Sequence, residues 1–169
     1  MPATKLILID GPAGVGKTTI CERLSQDFPD IIWQNVDELK IPFRESSLGF
    51  SRSRDMPIIL EKVKELIKNS GGKHLLIDEA FAEEVFSMID FAKKIKVSVL
   101  PIYLQASLEN VMLRNNQRGK VKDNQKIIDT WNKSQTVLSK SSVFTVVDAN
   151  GNFDKTYSQI LRIVTQFYN

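Results

Sequence analysis

The stretch "LILIDGPAGVGKTTICERL", residues 6–24, runs from a short apolar segment through a glycine-rich turn into a lysine, two threonines and a helical pattern. Gly11 to Thr18 satisfies G-x-x-x-x-G-K-[ST] in full, and it lies where that spacing has meaning, after an expected strand and before an expected helix. Glycines at 11, 14 and 16 leave the backbone free to turn its N–H groups inward. The amides of Gly11, Ala13, Gly14, Val15 and Gly16 are then expected to surround phosphate oxygens, with the dipole of the following helix behind them. Lys17 reaches the β- and γ-phosphates, the Thr18 hydroxyl is placed to ligate Mg²⁺, and Thr19 to touch the α-phosphate. A dinucleotide fold needs G-x-G-x-x-G, which this spacing does not give.

Outward from that loop, apolar runs recur at 5–10, 31–36, 74–78, 97–104 and 143–147. They alternate with helical patterns at 17–27, 56–69, 82–94, 107–117, 123–139 and 153–167. This alternation predicts an α/β fold, and runs such as "KLILID" and "HLLID", apolar on both faces, predict buried parallel strands covered by helices above and below. With 169 residues, 42% of them apolar, one domain over 1–169 is expected. No apolar run is long enough for a membrane span, and a cytoplasmic location is expected. Cys21 is the only cysteine and His74 the only histidine, so thiolate cages and histidine metal sites are excluded. Cys21 reads as core filler and His74 as a solvated residue before a strand.

A phosphate cradle does not by itself choose a reaction. The guanine-reading N-K-x-D is missing, since "NKSQ" at 132–135 lacks the aspartate, and this argues against a GTPase. "HLLIDEAF" puts Asp78 at the end of an apolar strand, where a carboxylate holds Mg²⁺ directly or through water. Glu79 beside it is either a water-orienting base or a solvated neighbour. "IIWQNVDELK" sets Asp37 at the end of the second strand, facing the crevice where ligands bind in open parallel sheets. There it can accept a proton from an attacking hydroxyl, or else it caps the helix that follows.

Two polar segments fit neither period, 40–56 and 118–124. The first carries Lys40, Arg44, Arg52 and Arg54 interleaved with Phe43 and Phe50, a set suited to an anionic, partly aromatic acceptor or, alternatively, to a solvated loop. An uncharged sugar or antibiotic would not need those cations. The second follows Arg114 and Arg118, four apart and so on one helix face, with Lys120 and Lys122 beyond. The net charge of +3 is too mild to point to nucleic acid.

Taken together, the Walker A loop, the aspartate about twenty residues after its lysine, the central strand ending in Asp78 and "YLQASLENVMLRNNQRGK" before a basic segment resemble the nucleoside monophosphate kinase-like group of P-loop kinases. The resemblance implies a three-layer fold with a five-stranded parallel sheet, an acceptor-side segment at about 38–56 and a short lid at about 114–124. It implies that Arg114 packs on adenine, that Arg118 meets the phosphates, and that "VVDANG" at 146–151 borders the base. Adenylate kinases carry D-G-F-P-R after the third strand, whereas residues 78–82 here are Asp-Glu-Ala-Phe-Ala, without the arginine that holds the acceptor's phosphate. What remains is more similar to kinases of hydroxyl groups, such as chloramphenicol phosphotransferase and the 5′-hydroxyl polynucleotide kinases. The expected catalytic residues are Lys17, Asp37 and Arg118; the expected cofactors are ATP and Mg²⁺. The other substrate is a hydroxyl-bearing small molecule or nucleic acid end, with no membrane and no protein partner. The alternatives are a nucleoside monophosphate kinase and, from another class, a slow ATP-hydrolysing switch that relies on Glu79.

Overall fold

A computed structural model describes residues 4–78, 83–117, 123–140 and 142–169. The strands are β1 (Lys5–Asp10), β2 (Ile31–Asn35), β3 (His74–Asp78), β4 (Ser98–Gln105) and β5 (Thr145–Asp148). The helices are α1 (Lys17–Asp27), α2 (Val36–Leu39), α3 (Ile41–Glu45), α4 (Arg52–Lys68), α5 (Glu84–Lys94), α6 (Leu108–Asn116), α7 (Asn124–Ser139) and α8 (Phe153–Tyr168). All four strand pairings are parallel, in the order β2-β3-β1-β4-β5. This is the five-stranded sheet with helices on both faces that the sequence predicts, because parallel neighbours need crossovers and the crossovers here are helices.

The two-residue alternation of β1 divides the core. Ile7 and Ile9 pack with Ile20, Cys21 and Leu24 of α1 and with Ile160 and Val164 of α8. Leu6 and Leu8 face the other way, onto Met56, Ile59 and Val63 of α4 and onto Val85, Met88 and Ile89 of α5. Cys21 is fully buried, as core filler should be. His74 is not simply solvated. Its Nδ1 accepts a hydrogen bond from the Lys5 amide at 3.2 Å, and its ring meets Tyr168 edge-on at 4.6 Å.

Two boundaries correct the sequence reading. The fourth helix begins at Arg52 rather than at residue 56, even though it contains Pro57. Asp55 accepts from the Ser51 amide at 2.7 Å and so anchors that first turn. The second strand stops at Asn35, whose side chain accepts from the Asp37 amide at 2.8 Å. Asp37 therefore stands in the first turn of α2, not on a strand, and Asn35 rather than Asp37 is the cap. The polar segment from residue 40 is largely helical, with α3 and the start of α4 inside it.

Candidate active site

The register places the tip of β1 between two chemically distinct neighbours: Ile9 pairs with Asp78 of β3, and Asp10 with Tyr103 of β4. The loop then leaves the sheet at Gly11, where φ is +144° and a Cβ would fall 2.6 Å from the Leu104 carbonyl oxygen. Only glycine fits that turn. The loop re-enters helix at Gly16, φ +107°, the N-cap of α1, which has no side-chain cap and no acidic residue in its first turn. The first amides of α1 are thus left to an anion. Lys17 Nζ folds back onto the carbonyl oxygens of Gly11 and Pro12, at 2.8 and 3.0 Å, and among the described residues no carboxylate pairs with it.

Asp78 is 3% exposed, and its Oδ2 has no hydrogen-bond partner. Burial pushes its carboxyl up; Lys17 and a hydrogen bond with Thr18 oppose this, and the charge of Asp37 adds to it. A buried carboxylate oxygen without a partner, beside the Thr18 hydroxyl, fits a divalent cation that keeps several waters and phosphate oxygens as its other ligands. Among the described residues no group of three His, Cys, Asp or Glu could hold a metal alone, as expected when the nucleotide completes the site.

β2 does not adjoin β1 but lies beyond β3, so Asp37, at the start of α2, stands across Asp78 from the loop. Lys40 Nζ and Arg44 Nη2 both donate to its Oδ1, at 3.1 and 3.0 Å. Partial enclosure tends to raise its carboxyl, but the two cations outweigh this and hold it below the ordinary aspartate value. Lys40 itself is buried, with its ammonium 5.9 Å from the Phe50 ring centre. Arg54 is bonded through Nε and Nη2 to Asp55, at 2.6 and 2.7 Å. Arg52 is bonded the same way to Glu84 of α5, at 3.0 and 2.5 Å.

On the donor side a cleft of about 430 Å³ is bordered by Gly14, Gly16, Thr19, Arg114, Ala149 and Phe153, among others. Of the segment 146–151, Ala149 and Gly151 line this cleft. Arg114 takes a part that sequence reasoning did not foresee. Its guanidinium donates to the carbonyl oxygens of Val15, Ala149 and Gly151, at 3.2, 2.6 and 3.0 Å, tying the phosphate loop to the turn before α8. Phe153 is 41% exposed and stacked on Tyr157. Arg118, Lys120, Lys122 and Glu79 lie outside the described residues, as do residues 118–122 of the expected lid.

A family profile described as an AAA domain matches residues 7–137. Guanylate kinases of Chlamydia felis (strain Fe/C-56) and Chlamydia caviae (strain ATCC VR-813 / DSM 19441 / 03DC25 / GPIC) are 29% and 28% identical to the chain over 178 and 180 residues. The matches span 95% and 96% of this chain and 86% and 87% of those proteins. In fold, the chain is similar to a gluconokinase from Sinorhizobium meliloti 1021, with TM-score 0.72 at 11% identity over 99% of this chain and 98% of that one. It is also similar to a Deinococcus radiodurans tunicamycin resistance protein, with TM-score 0.67 at 22% identity over 95% of each. With its glycine loop, its strand order and the matched profile, the chain belongs to the AAA domain family, as a P-loop kinase of the nucleoside monophosphate kinase-like group and an ATP-dependent phosphotransferase.

Proposed function

We propose that the protein transfers the γ-phosphoryl group of ATP to a hydroxyl of a small molecule or nucleic acid end. The observation that carries this is the position of Asp37. Its charge reaches Asp78, yet it follows β2 on one side of β1, whereas the cleft beside Arg114 borders the other side. The backbone N–H groups of residues 13–19 and Lys17 hold the phosphates, while that of Gly11 is already given to Asp10; Thr18 and Asp78 hold Mg²⁺, and the base lies in the cleft beside Arg114. Mg²⁺, when bound, neutralises charge on the β- and γ-oxygens. The acceptor hydroxyl approaches Asp37 as its oxygen bonds to the γ-phosphorus; the bond to the bridging oxygen breaks with its electron pair leaving on ADP. Because the transition state of phosphoryl transfer is loose, the proton leaves late. The Asp37 carboxylate, kept ionised by its two cations, orients the hydroxyl and takes that proton. Arg118 closes over the phosphates from the lid, and 38–56 forms the acceptor side of what we take to be one domain over 1–169.

The described residues contain no helix long and apolar enough to cross a membrane. Use of ATP and a buried unpaired thiol at Cys21 suit the cytoplasm.

The chlamydial relatives raise a second reading, transfer to a nucleoside monophosphate, on the strength of 29% identity over nearly the whole chain. One experiment separates the readings. Labelled ATP is offered with nucleoside monophosphates, nucleosides, oligonucleotides bearing free 5′-hydroxyls and hydroxylated antibiotics, using the wild type, Asp37→Ala and Glu79→Ala. Transfer to a hydroxyl that disappears in Asp37→Ala while ATP binding persists supports the proposal. Transfer confined to the monophosphates supports the second reading. ATP hydrolysis indifferent to Asp37 and lost in Glu79→Ala, with no acceptor labelled, refutes both.

A further inference from the structure

On the acceptor side, four cations face three carboxylates at ion-pair distance. Lys40 and Arg44 share Asp37, at 3.1 and 3.0 Å. Arg52 has Glu84, at 2.5 Å. Arg54 has Asp55, at 2.6 Å, and also donates to the Gly49 carbonyl. The two most directional pairs use Nε and Nη2 of the arginine. That planar edge is the one with which an arginine grips a phosphate or carboxylate in two-point fashion.

From this we infer that the acceptor enters the site uncharged, as a neutral alcohol such as a nucleoside, a sugar or a hydroxylated antibiotic, and not as a nucleotide or a sugar acid. The inference rests on the hydroxyl-kinase reading above and narrows its substrate class. An anionic acceptor would have to draw an arginine off its acid. Asp55 is 1% exposed, so moving Arg54 would strand a buried carboxylate, a large penalty once the partner is gone. Moving Arg52 would unfasten α4 from α5. Arg44, half exposed like the other two but sharing its acid with Lys40, is the one most easily drawn away, and one guanidinium in water is weak purchase for an anion.

The space available is of the matching kind. Three recesses of about 60, 300 and 550 Å³ meet at Arg52. The smallest reaches Asp10 at the root of the phosphate loop and carries the hydroxyls of Tyr103 and Ser134, which bond each other. The largest is walled by Met56, Pro57 and Leu60. Lys133, exposed on α7, borders two of these recesses, one with Asp10 and one with Glu83 and Glu84. Hydroxyls beside apolar surface, with the arginines already held by acids, suit a neutral polar molecule.

The test compares acceptors in matched pairs: each nucleoside against its 5′-monophosphate, and each neutral sugar against its acid, with the full chain, ATP and Mg²⁺. Expected is a kcat/KM for the neutral member at least about tenfold above its charged partner, the smallest gap that a single lost ion pair would explain. A charged member ahead of its neutral partner overturns the inference and leaves the kinase standing. Bound ATP with no transfer to any member overturns the hydroxyl-kinase reading and the inference with it. Glu84→Gln, which takes the acid from Arg52, adds a second readout. The neutral-to-charged ratio should fall by about threefold or more, a modest charge effect near the surface, and a ratio that does not move refutes the role given to the pairing.

Discussion

Lys40 donates to Asp37 across 3.1 Å from a side chain only 7% exposed, whereas Asp37 itself is 58% exposed. A buried ammonium thus sets the charge state of a surface carboxylate. Lys40 and Arg44 hold Asp37 below its ordinary value of 3.8, so it is ionised throughout the neutral and mildly acidic range. Replacing Lys40 by Met lets that value rise. The acid limb of kcat/KM should shift to higher pH in Lys40→Met, as a pH series with saturating ATP would reveal; an unmoved limb would mean that Asp37 does not govern it. The stability Asp37 draws from its two cations is present above 3.8 and fades as pH falls through the depressed folded value.

Substituting Asp37 by Asn keeps the shape and removes the ability to accept the hydroxyl proton. Turnover should fall by about 10² to 10⁴, the usual contribution of a positioned base, with the dissociation constant for ATP changing far less. Single-turnover transfer and equilibrium nucleotide binding report the two effects separately.

Asp78 carries a buried oxygen with no partner, and burial raises its carboxyl. A raised folded value means that the ligand-free protein loses stability as pH climbs through the window between 3.8 and that value. Asp78→Asn should therefore raise the thermal stability of the ligand-free protein by about 1 kcal/mol or more, the order of an unmet buried acceptor. The same variant should lose the extra stabilisation that ATP with Mg²⁺ gives the wild type. Melting curves with and without both ligands check the pair of effects.

Arg114 satisfies three carbonyl oxygens on two separate segments. Arg114→Met keeps the stem and abandons them, at a cost of about 2–3 kcal/mol, and it should weaken nucleotide binding because the cleft wall loosens. Denaturant titration gives the first quantity and fluorescence titration with a nucleotide analogue the second. Arg114→Lys should recover only part of either.

His74 accepts from the Lys5 amide through Nδ1, which demands an unprotonated ring. Burial and then Lys5 press its value below 6.5. Stability should accordingly decline as pH falls from about 6.5 through the lower folded value. His74→Gln, which can still accept that hydrogen bond, should flatten the slope in urea titrations across this range.

The strands were legible because both of their faces are apolar, and the phosphate loop because its glycines mark turns that no other residue makes. The start of α4 was hidden. Pro57 interrupts the helical period, and the arginines at 52 and 54 read as loop, whereas in the fold Asp55 and its partners secure that turn. A signal for α2 did exist: Asn35 followed three residues on by Glu38 is a helix start. The pairing of Arg54 with Asp55 is adjacent in sequence, but that of Arg52 with Glu84 spans 32 residues and needs the tertiary structure. Phe153 at the nucleotide cleft shares its helix face with core residues, so periodicity alone could not separate the two.

Of the five strands, the one that bears the phosphate loop is made before the other four, and it sits in the middle of the sheet, between neighbours that end at Asp78 and Gln105. A growing chain on the ribosome therefore displays the glycine motif long before either flank of that strand is closed. Until β4 emerges, one edge of β1 is an open template for another chain. ATP cannot rescue this interval, since a ligand stabilises only the conformation that binds it. The period in which this kinase is most open to aggregation thus falls before its own nucleotide can protect it.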